Sequence, residues 1–149
     1  MRRGAALALV LALCGTGATA QQATFARAMD EALAGGGTAV PWLRCAGLFR
    51  AFHLLAGPGT EPGAEARAAE IDLAVVAAVL REDETDAEPG AAMAQVAPLI
   101  GAAAELYLDR MATNEEAAAN VMDDSLRASL AACSTLRAET QAGPAGDAP

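Results

Sequence analysis

Apolar residues recur every three or four positions in five segments of the chain, and this spacing predicts five amphipathic helices. No segment alternates β-branched and polar residues in the way that is typical of a strand. We therefore expect an all-α fold, an up-down helical bundle of four to five helices. The predicted helices span about Gln22–Ala34, Pro41–Ala56, Pro62–Arg81 and Gly90–Ala112, with a fifth that runs from the Thr113–Asn114 caps to about Glu139.

The periodic residues also predict which face of each helix is buried. In the third helix, Ile71, Val75 and Val79, with Val76 and Leu80 beside them, form a broad apolar face that we expect to lie in the core. The stripes predicted for the other helices are Phe25, Met29 and Leu33; Trp42, Cys45, Phe49, Phe52 and Ala56; Met93, Val96, Ile100, Tyr107 and Met111; and Met122, Leu126, Leu130, Cys133 and Leu136.

Residues that favour turns set the predicted helix boundaries. Gly35–Gly37 and Gly57–Gly59 end the first two helices, because glycine readily takes the left-handed cap conformation. Glu82–Glu88 is predicted to be an acidic connector between the third and fourth helices. Pro98 should kink the fourth helix or separate its first turns. Thr113, followed by glutamate three residues later, fits a capping box and predicts the start of the fifth helix.

The first twenty residues have the features of a secretory signal peptide. Arg2 and Arg3 supply a charged start, Ala5–Leu13 a short apolar stretch and Ala18–Ala20 a small-residue cleavage site. A helix that spans a bilayer needs about 20 apolar residues, so this stretch is too short to be one. We expect cleavage after Ala20, which makes Gln21 the first residue of an exported, periplasmic or secreted protein.

A second interpretation of the N-terminus is a bacterial lipobox, in which Cys14 would be acylated. That pattern requires a small residue just before the cysteine, and Leu13 fills the position here. Ordinary cleavage is therefore the favoured reading. The chain then divides into a signal peptide (1–20), one helical domain (21–140) and a tail (141–149) that contains little to bury and is expected to be disordered.

The charge of the chain is strongly acidic. The full sequence has ten basic residues, all of them arginine, and a formal charge of −9 at pH 7. Removal of Arg2 and Arg3 with the leader leaves eight arginines against nineteen acidic residues, a charge of −11. Binding to nucleic acid or to anionic lipid depends on cations that neutralise phosphates. We therefore expect neither nucleic acid nor an anionic membrane surface as a partner.

Two cysteines remain in the exported domain, Cys45 and Cys133. Cysteines in an oxidising compartment most often pair, and the alternative is two buried free thiols. A bond that closes a loop of about 88 residues should stabilise the fold by roughly 4–5 kcal/mol in the chain-entropy model. If Cys45 starts the second helix and Cys133 ends the fifth, an up-down order brings them together only when the chain turns near Thr113.

Few residues suggest a binding or catalytic site. His53 is the one histidine and the one candidate for ligand binding; the alternative is a half-buried structural imidazole. Covalent haem is excluded because the attachment motif Cys-x-x-Cys-His is absent. Noncovalent haem would use His53 with one of four methionines, although methionines at helical spacing usually fill a core. Those methionines are Met29, Met93, Met111 and Met122.

Other motifs are equally unpromising for catalysis or cofactors. Glu82–Glu88 has carboxylates for a hard cation but not the glycine-centred spacing of an EF-hand, so a solvated charged connector is the simpler interpretation. No serine lies in a nucleophile elbow, and Cys45 and Cys133 form no Cys-x-x-Cys redox pair. We predict no catalytic residue, no metal ligand and no cofactor.

The segment Trp42–Phe49, with Cys133-Ser134-Thr135-Leu136 far downstream, resembles small exported helical proteins of Gram-negative bacteria. In those proteins an aromatic-x-x-Cys-Ala-x-Leu-aromatic helix opens the mature domain and a Cys-x-x-Leu helix closes it. The resemblance covers most of the mature chain and implies a helical fold and export. It implies no activity, because these proteins are largely of unknown function.

The sequence favours a non-enzymatic exported protein that acts through a protein-binding surface. The alternative is a helical bundle that binds a small ligand or a metal in its interior or at the acidic connector. The two functions differ in their structural signature. A partner-binding protein should expose an apolar patch, whereas a ligand-binding protein should enclose a pocket with convergent polar groups.

Overall fold

The computed structural model describes residues 14–142, with side chains from residue 19, and in this range it is all-helical. Five α-helices pack as a bundle, which confirms the predicted fold class. The leader residues 1–13 and the tail 143–149 lie outside the described residues. The helices are α1 (Cys14–Ala32), α2 (Val40–Ala56, preceded by the 3₁₀ turn Gly37–Ala39), α3 (Glu61–Thr85), α4 (Pro89–Ala118) and α5 (Asp124–Ala142).

α1 is longer than predicted, because the structure starts it at Cys14 rather than Gln22. The predicted cleavage site Ala18–Ala20 therefore lies within the helix in the uncleaved chain. Met29 and Leu33, at the end of this segment, are fully buried as their spacing predicted.

The predicted acidic connector is mostly helical, so that prediction was wrong in extent. α3 continues to Thr85 and ends where Asp86 adopts the left-handed conformation, at φ 52°. Glu84 stabilises this last turn: one carboxylate oxygen accepts the backbone N–H of Thr38 at 2.7 Å, and the other accepts Arg81 at 2.6 Å. These contacts attach the end of α3 to the turn before α2. The run of acidic residues by itself does not indicate this contact, because Thr38 and Glu84 are far apart in the sequence.

α4 is a single helix that passes through Pro98. The alternative prediction, that Pro98 separates the first turns from the rest of the helix, is therefore wrong. Proline removes one helical hydrogen bond and leaves the carbonyl four residues earlier without its donor. Pro98 and Ala94 are both exposed, so water can bond that carbonyl. The helix therefore tolerates the proline on its solvent side.

The predicted turn at Thr113–Asn114 is wrong, because α4 continues to Ala118. The Thr113 hydroxyl donates to the carbonyl of Asp109 within the helix and caps nothing. The chain turns instead after Ala119, which is left-handed at φ 51°, and Asp123 caps α5 by accepting the Leu126 N–H at 2.7 Å. Asparagine, aspartate and threonine all favour caps, and tertiary partners decided which of them was used.

Small residues let α2 approach its neighbours closely. A Cβ atom added at Gly47 would lie 2.5 Å from the Cβ of Ala103 and 3.1 Å from the backbone nitrogen of Ala104. α2 packs most extensively against α3 and α4, and buried alanines line all three helices. α2 and α3 run antiparallel, since Arg50 contacts Glu70 and His53, further along α2, contacts the earlier Gly63.

The predicted disulfide between Cys45 and Cys133 is present, with the Cα atoms 5.2 Å apart and both residues buried. Cys133 lies in the middle of α5 rather than near its end. The predicted turn near Thr113 depended on Cys133 lying near the end of the fifth helix, so that argument fails. The predicted pairing of the two cysteines is nevertheless correct. Within α5 only Leu126 and Cys133 are buried, so the bond is a main attachment of this helix.

Among the described residues, α4 is long and apolar enough to cross a membrane when judged by length and composition. The central helix of a globular bundle passes the same test. α4 packs against α1, α2 and α3, and residues such as Val96, Ile100 and Tyr107 are buried there.

Candidate interaction surface

α3 buries alanines on one face and exposes three large aliphatic residues on another. The prediction that Ile71, Val75 and Val79 lie in the core is wrong, because they are 46%, 49% and 50% exposed. Val76 and Leu80, predicted beside them, are half-buried. The residues that are buried instead are Ala66, Ala69, Glu70, Leu73, Ala77 and Ala78. Four of these six residues are alanines, which take little space between helices in contact. Leu73 is a large aliphatic side chain that is fully buried among them.

We define Ile71, Val75 and Val79 as the apolar ridge. Their four-residue spacing places them on one face of α3, in line with the exposed Ala64 and Ala68. Leu54 and Leu55, at the end of α2, are also exposed, but adjacent helical residues point in different directions and form no such stripe. The ridge is thus a continuous aliphatic surface, of the kind the sequence predicted for a partner-binding protein.

The surroundings of the ridge are acidic. Glu65, Glu82 and Asp83 form no ion pair within the described part of the chain. Of the nearby cations, Arg137 is paired with Asp72 at 2.9 Å. Arg67, 2.6 Å from Glu70, shares that carboxylate with Arg50, which leaves one positive charge in excess. Three unpaired carboxylates outweigh it, so the surroundings of the ridge are negative on balance.

Two open grooves flank α5. The α2–α3–α5 groove, of about 450 Å³, has Phe49, Phe52 and Leu130 in its lining and Glu65 and Arg137 among its polar groups. The α2–α4–α5 groove, of about 680 Å³, is lined by residues that include Val40, Arg44, Tyr107, Ser129, Glu139 and the disulfide cysteines. The grooves follow from the light packing of α5, which could not be foreseen from the sequence.

Polar groups converge on the α2–α4–α5 groove. Arg44 donates to Asp30 at 2.8 Å, while its Nε is buried without a hydrogen-bond partner among the described residues. Tyr107 is almost fully buried; burial raises its pKa, and Arg44, a hydrogen bond with Ser129 and Arg110 oppose part of that rise. This groove is the nearest approach to the pocket expected of a ligand-binding bundle.

A buried ion cluster links α2 to α3. Glu70 is 2% exposed, and its Oε1 accepts Arg50 Nε at 2.8 Å and lies 2.6 Å from a terminal nitrogen of Arg67. Its Oε2 is also buried and has no partner among residues 14–142. Two arginines around one carboxylate hold the two helices in register, which is a structural role.

A second polar network fixes the turn between α4 and α5. Arg110 donates twice to one carboxylate oxygen of Asp123, at 3.1 and 2.7 Å, and Asn114 donates to the same oxygen at 3.0 Å. Burial alone would raise the pKa of Asp123, but the Leu126 N–H, Arg110 and Asn114 outweigh it and leave that pKa below its usual value. Arg110 also lies 4.7 Å from the ring centroid of Phe25, a cation–π contact that ties α1 to this corner.

His53, the predicted candidate for ligand binding, takes part in the turn between α2 and α3. Its Nδ1 lies 2.9 Å from the carbonyl oxygen of Gly63, to which it can donate, and the side chain is half-buried. Thr60 caps α3 beside it by accepting the Gly63 N–H. This contact is the one that a structural imidazole makes. In residues 14–142 no three or more histidine, cysteine or carboxylate side chains are grouped to hold a metal ion.

Comparison of the chain with protein-family models, curated proteins and solved structures finds no match. Sequence reasoning missed the roles of Glu70 and Arg110. The i,i+3 spacing of Arg67 and Glu70 is a weak signal of a pair, but burial is decided by the packing of α2 against α3.

Proposed function

We propose that the protein is exported, is not an enzyme and acts by binding another protein through the apolar ridge. The observation that carries this proposal is the reversed pattern of α3, in which alanines fill the core while Ile71, Val75 and Val79 stay outside. A helix that only needed to pack on α2 could carry polar residues at these positions at no cost to the core. Large aliphatic side chains there indicate a surface that is covered in the working state.

The ridge supplies part of the binding free energy. Complete burial of a valine or isoleucine side chain is worth about 1.5–3 kcal/mol, so covering the exposed half of three of them contributes roughly 2–4 kcal/mol. A stable interface takes about 800 Å² from each partner. The contact must therefore extend along α3, where Ala64 and Ala68 continue the same face.

Export rests on the leader features and on the disulfide. Arg2, Arg3, the apolar stretch and the Ala18–Ala20 site support cleavage, and a disulfide is favoured in an oxidising compartment. N-terminal sequencing of the protein from its own host should begin at Gln21. An acylated Cys14 would show a lipoprotein instead.

A photo-crosslinking residue placed at Val75 tests partner binding in the native cell envelope. We expect one discrete adduct from this position and none from the same residue at the exposed Glu116 on α4. Excess wild-type protein should compete for the adduct, whereas a variant with glutamine at all three ridge positions should not. Identical adducts from Val75 and Glu116, or none from Val75, would contradict the proposal.

A second candidate function is small-ligand binding in the α2–α4–α5 groove. The buried, unpartnered Nε of Arg44 favours it, because an acceptor atom of a ligand would complete this donor's bonding. Native mass spectrometry of protein isolated from its host should then show a bound small molecule that is lost in Arg44→Met. A mass equal to that of the bare polypeptide would exclude this candidate.

A further inference from the structure

We infer that the ridge accepts an amphipathic helix with basic flanks from a partner protein, an inference that rests on the proposed function. Ala64, Ala68, Ile71, Val75 and Val79 follow one another at spacings of four, three, four and four residues along one face of α3. We call this set of five residues the seam. Its spacing is that of a helix face against which a second helix can pack an apolar stripe of its own.

The length of the seam sets the length of its partner. Fifteen helical steps separate Ala64 from Val79, and a rise of 1.5 Å per residue makes the seam about 22 Å long. A partner helix of about four turns covers it. Shorter segments would leave ridge residues in water.

Charge selects a basic partner. The side chains that border the ridge and form no ion pair among the described residues are the carboxylates Glu61, Glu65, Glu82 and Asp83. Arg137 pairs with Asp72, and Arg67 shares Glu70 with Arg50, which leaves one positive charge against these four carboxylates. Lysine or arginine beside the apolar stripe of a partner would therefore meet uncompensated acids, which accelerates association and excludes acidic competitors.

The same charges argue against two other occupants. In a symmetric dimer formed through α3, the acids at each end of the ridge would face acids of the second copy, and like charges across an interface are unfavourable. An anionic lipid surface meets the same repulsion. A basic helix is the occupant for which both the apolar stripe and its charged border are complementary.

Two synthetic helical peptides of sixteen residues test the inference. Both carry leucine at the seam spacing; one has lysine and the other glutamate at the flanking positions. Titration into ¹⁵N-labelled protein should give saturable binding of the lysine peptide, with amide shifts centred on residues 64–83. The glutamate peptide should bind at least ten-fold more weakly at low salt, and raising the salt concentration should reduce the difference.

Matched variants separate the apolar and the charged contributions. Replacing Ile71, Val75 and Val79 with glutamine, a better helix former than valine, keeps α3 folded and should abolish lysine-peptide binding. Glu82→Gln with Asp83→Asn should weaken it about five-fold. Glu115→Gln with Glu116→Gln, an equal charge change at the end of α4, should have little effect.

Several outcomes would overturn the inference. Equal binding of the two peptides would show that the partner need not be basic. If the lysine peptide still bound the variant with glutamine at the three ridge positions, its binding would rest on charge attraction alone. A concentration-dependent dimer that the ridge variant dissolves would identify a second copy as the occupant, and ridge-dependent binding to anionic vesicles would identify a membrane. If the Val75 adduct forms in cells while the peptides fail, partner binding stands and only the partner class is wrong.

Discussion

At the scale of single residues, the positions with most influence are buried charges that sequence inspection passed over. Glu70 is nearly inaccessible, whereas its partners Arg50 and Arg67 are 30% and 46% exposed. The cluster is therefore asymmetric. An arginine that loses Glu70 can turn to water, but Glu70 without its arginines is a buried charge without compensation.

This asymmetry gives a stability prediction. Replacing both Arg50 and Arg67 with methionine should lower the free energy of unfolding by about 3–5 kcal/mol, the usual cost of stranding a buried charge. Glu70→Gln should cost less, about 1–2 kcal/mol. Urea denaturation measures both, with Arg27→Met, in an exposed pair with Glu31, as a near-neutral control. If the double arginine variant and Glu70→Gln lost the same free energy of unfolding, Glu70 would not be the charge left without compensation.

Asp123 predicts how stability depends on pH. Its folded pKa is lowered, so its contribution is complete above the unfolded value of about 3.9 and is lost as the pH falls through that value towards the folded pKa. Glu84, whose pKa is lowered by its hydrogen bonds to Thr38, acts in the same direction. The free energy of unfolding should fall as the pH is lowered from about 5 through the unfolded pKa of about 3.9, and Asp123→Asn should reduce both that fall and the stability at pH 7. An unchanged pH profile in the variant would contradict the assignment.

At the scale of helices, packing distance decides which residues face inward. α2 lies so close to α4 that Gly47 has no room for a side chain, and the alanines of α3 line its other contact. Ile71, Val75 and Val79 have the stronger hydrophobic periodicity, yet they lie outside this contact, where four alanines and Leu73 are buried instead. Helix existence was thus predictable from pattern, whereas the buried face of α3 was not.

Gly47→Ala tests this close packing. The added Cβ would meet the Cβ of Ala103 at 2.5 Å, so the helices must separate, and we expect a loss of about 1–3 kcal/mol in the free energy of unfolding. Gly101→Ala is the matched control, because its Cβ would find only the Arg50 side chain, at 3.6 Å, and alanine favours the helix. A loss that is the same at both positions would refute the close contact as its cause.

At the scale of the whole molecule, α5 is a lightly packed helix. It buries only Leu126 and Cys133, and it is held by the disulfide, by the Asp123 network at its start and by Arg137 and Gln141 on Asp72. The grooves on its two sides follow from this sparse attachment. The covalent bond therefore supplements the small share of the core that α5 contributes.

Removing the disulfide should destabilise α5 more than the other helices. Cys45→Ser with Cys133→Ser, or reduction, should lower the free energy of unfolding by about 4–5 kcal/mol and the Tm by many degrees. Hydrogen exchange should accelerate most in residues 124–142, while amides in α2 and α3 remain protected. Uniform acceleration throughout the bundle would mean that α5 is as well integrated as the other helices.

Candidate sites were harder to predict than the fold. His53 was a candidate because histidine can bind ligands. Its contact with the Gly63 carbonyl could not be predicted, because it depends on the turn that brings the two residues together. Arg110 and Asp123 are thirteen residues apart, and nothing local in the sequence pairs them. The Thr113 capping pattern was plausible by itself and was overridden because Asn114 and Arg110 bind Asp123 instead.

The sequence by itself determined the properties that depend on local pattern and on composition. Helical periodicity gave the five helices, and the presence of two cysteines in the predicted mature domain gave the disulfide. Tertiary structure decided what depends on neighbours distant in the chain: where α4 ends, which carboxylates are buried and which face of α3 is exposed. The physical reason is that hydrophobicity ranks residues one at a time, whereas the packing of several helices together decides which face of each is covered. That packing left Ile71, Val75 and Val79 on the surface.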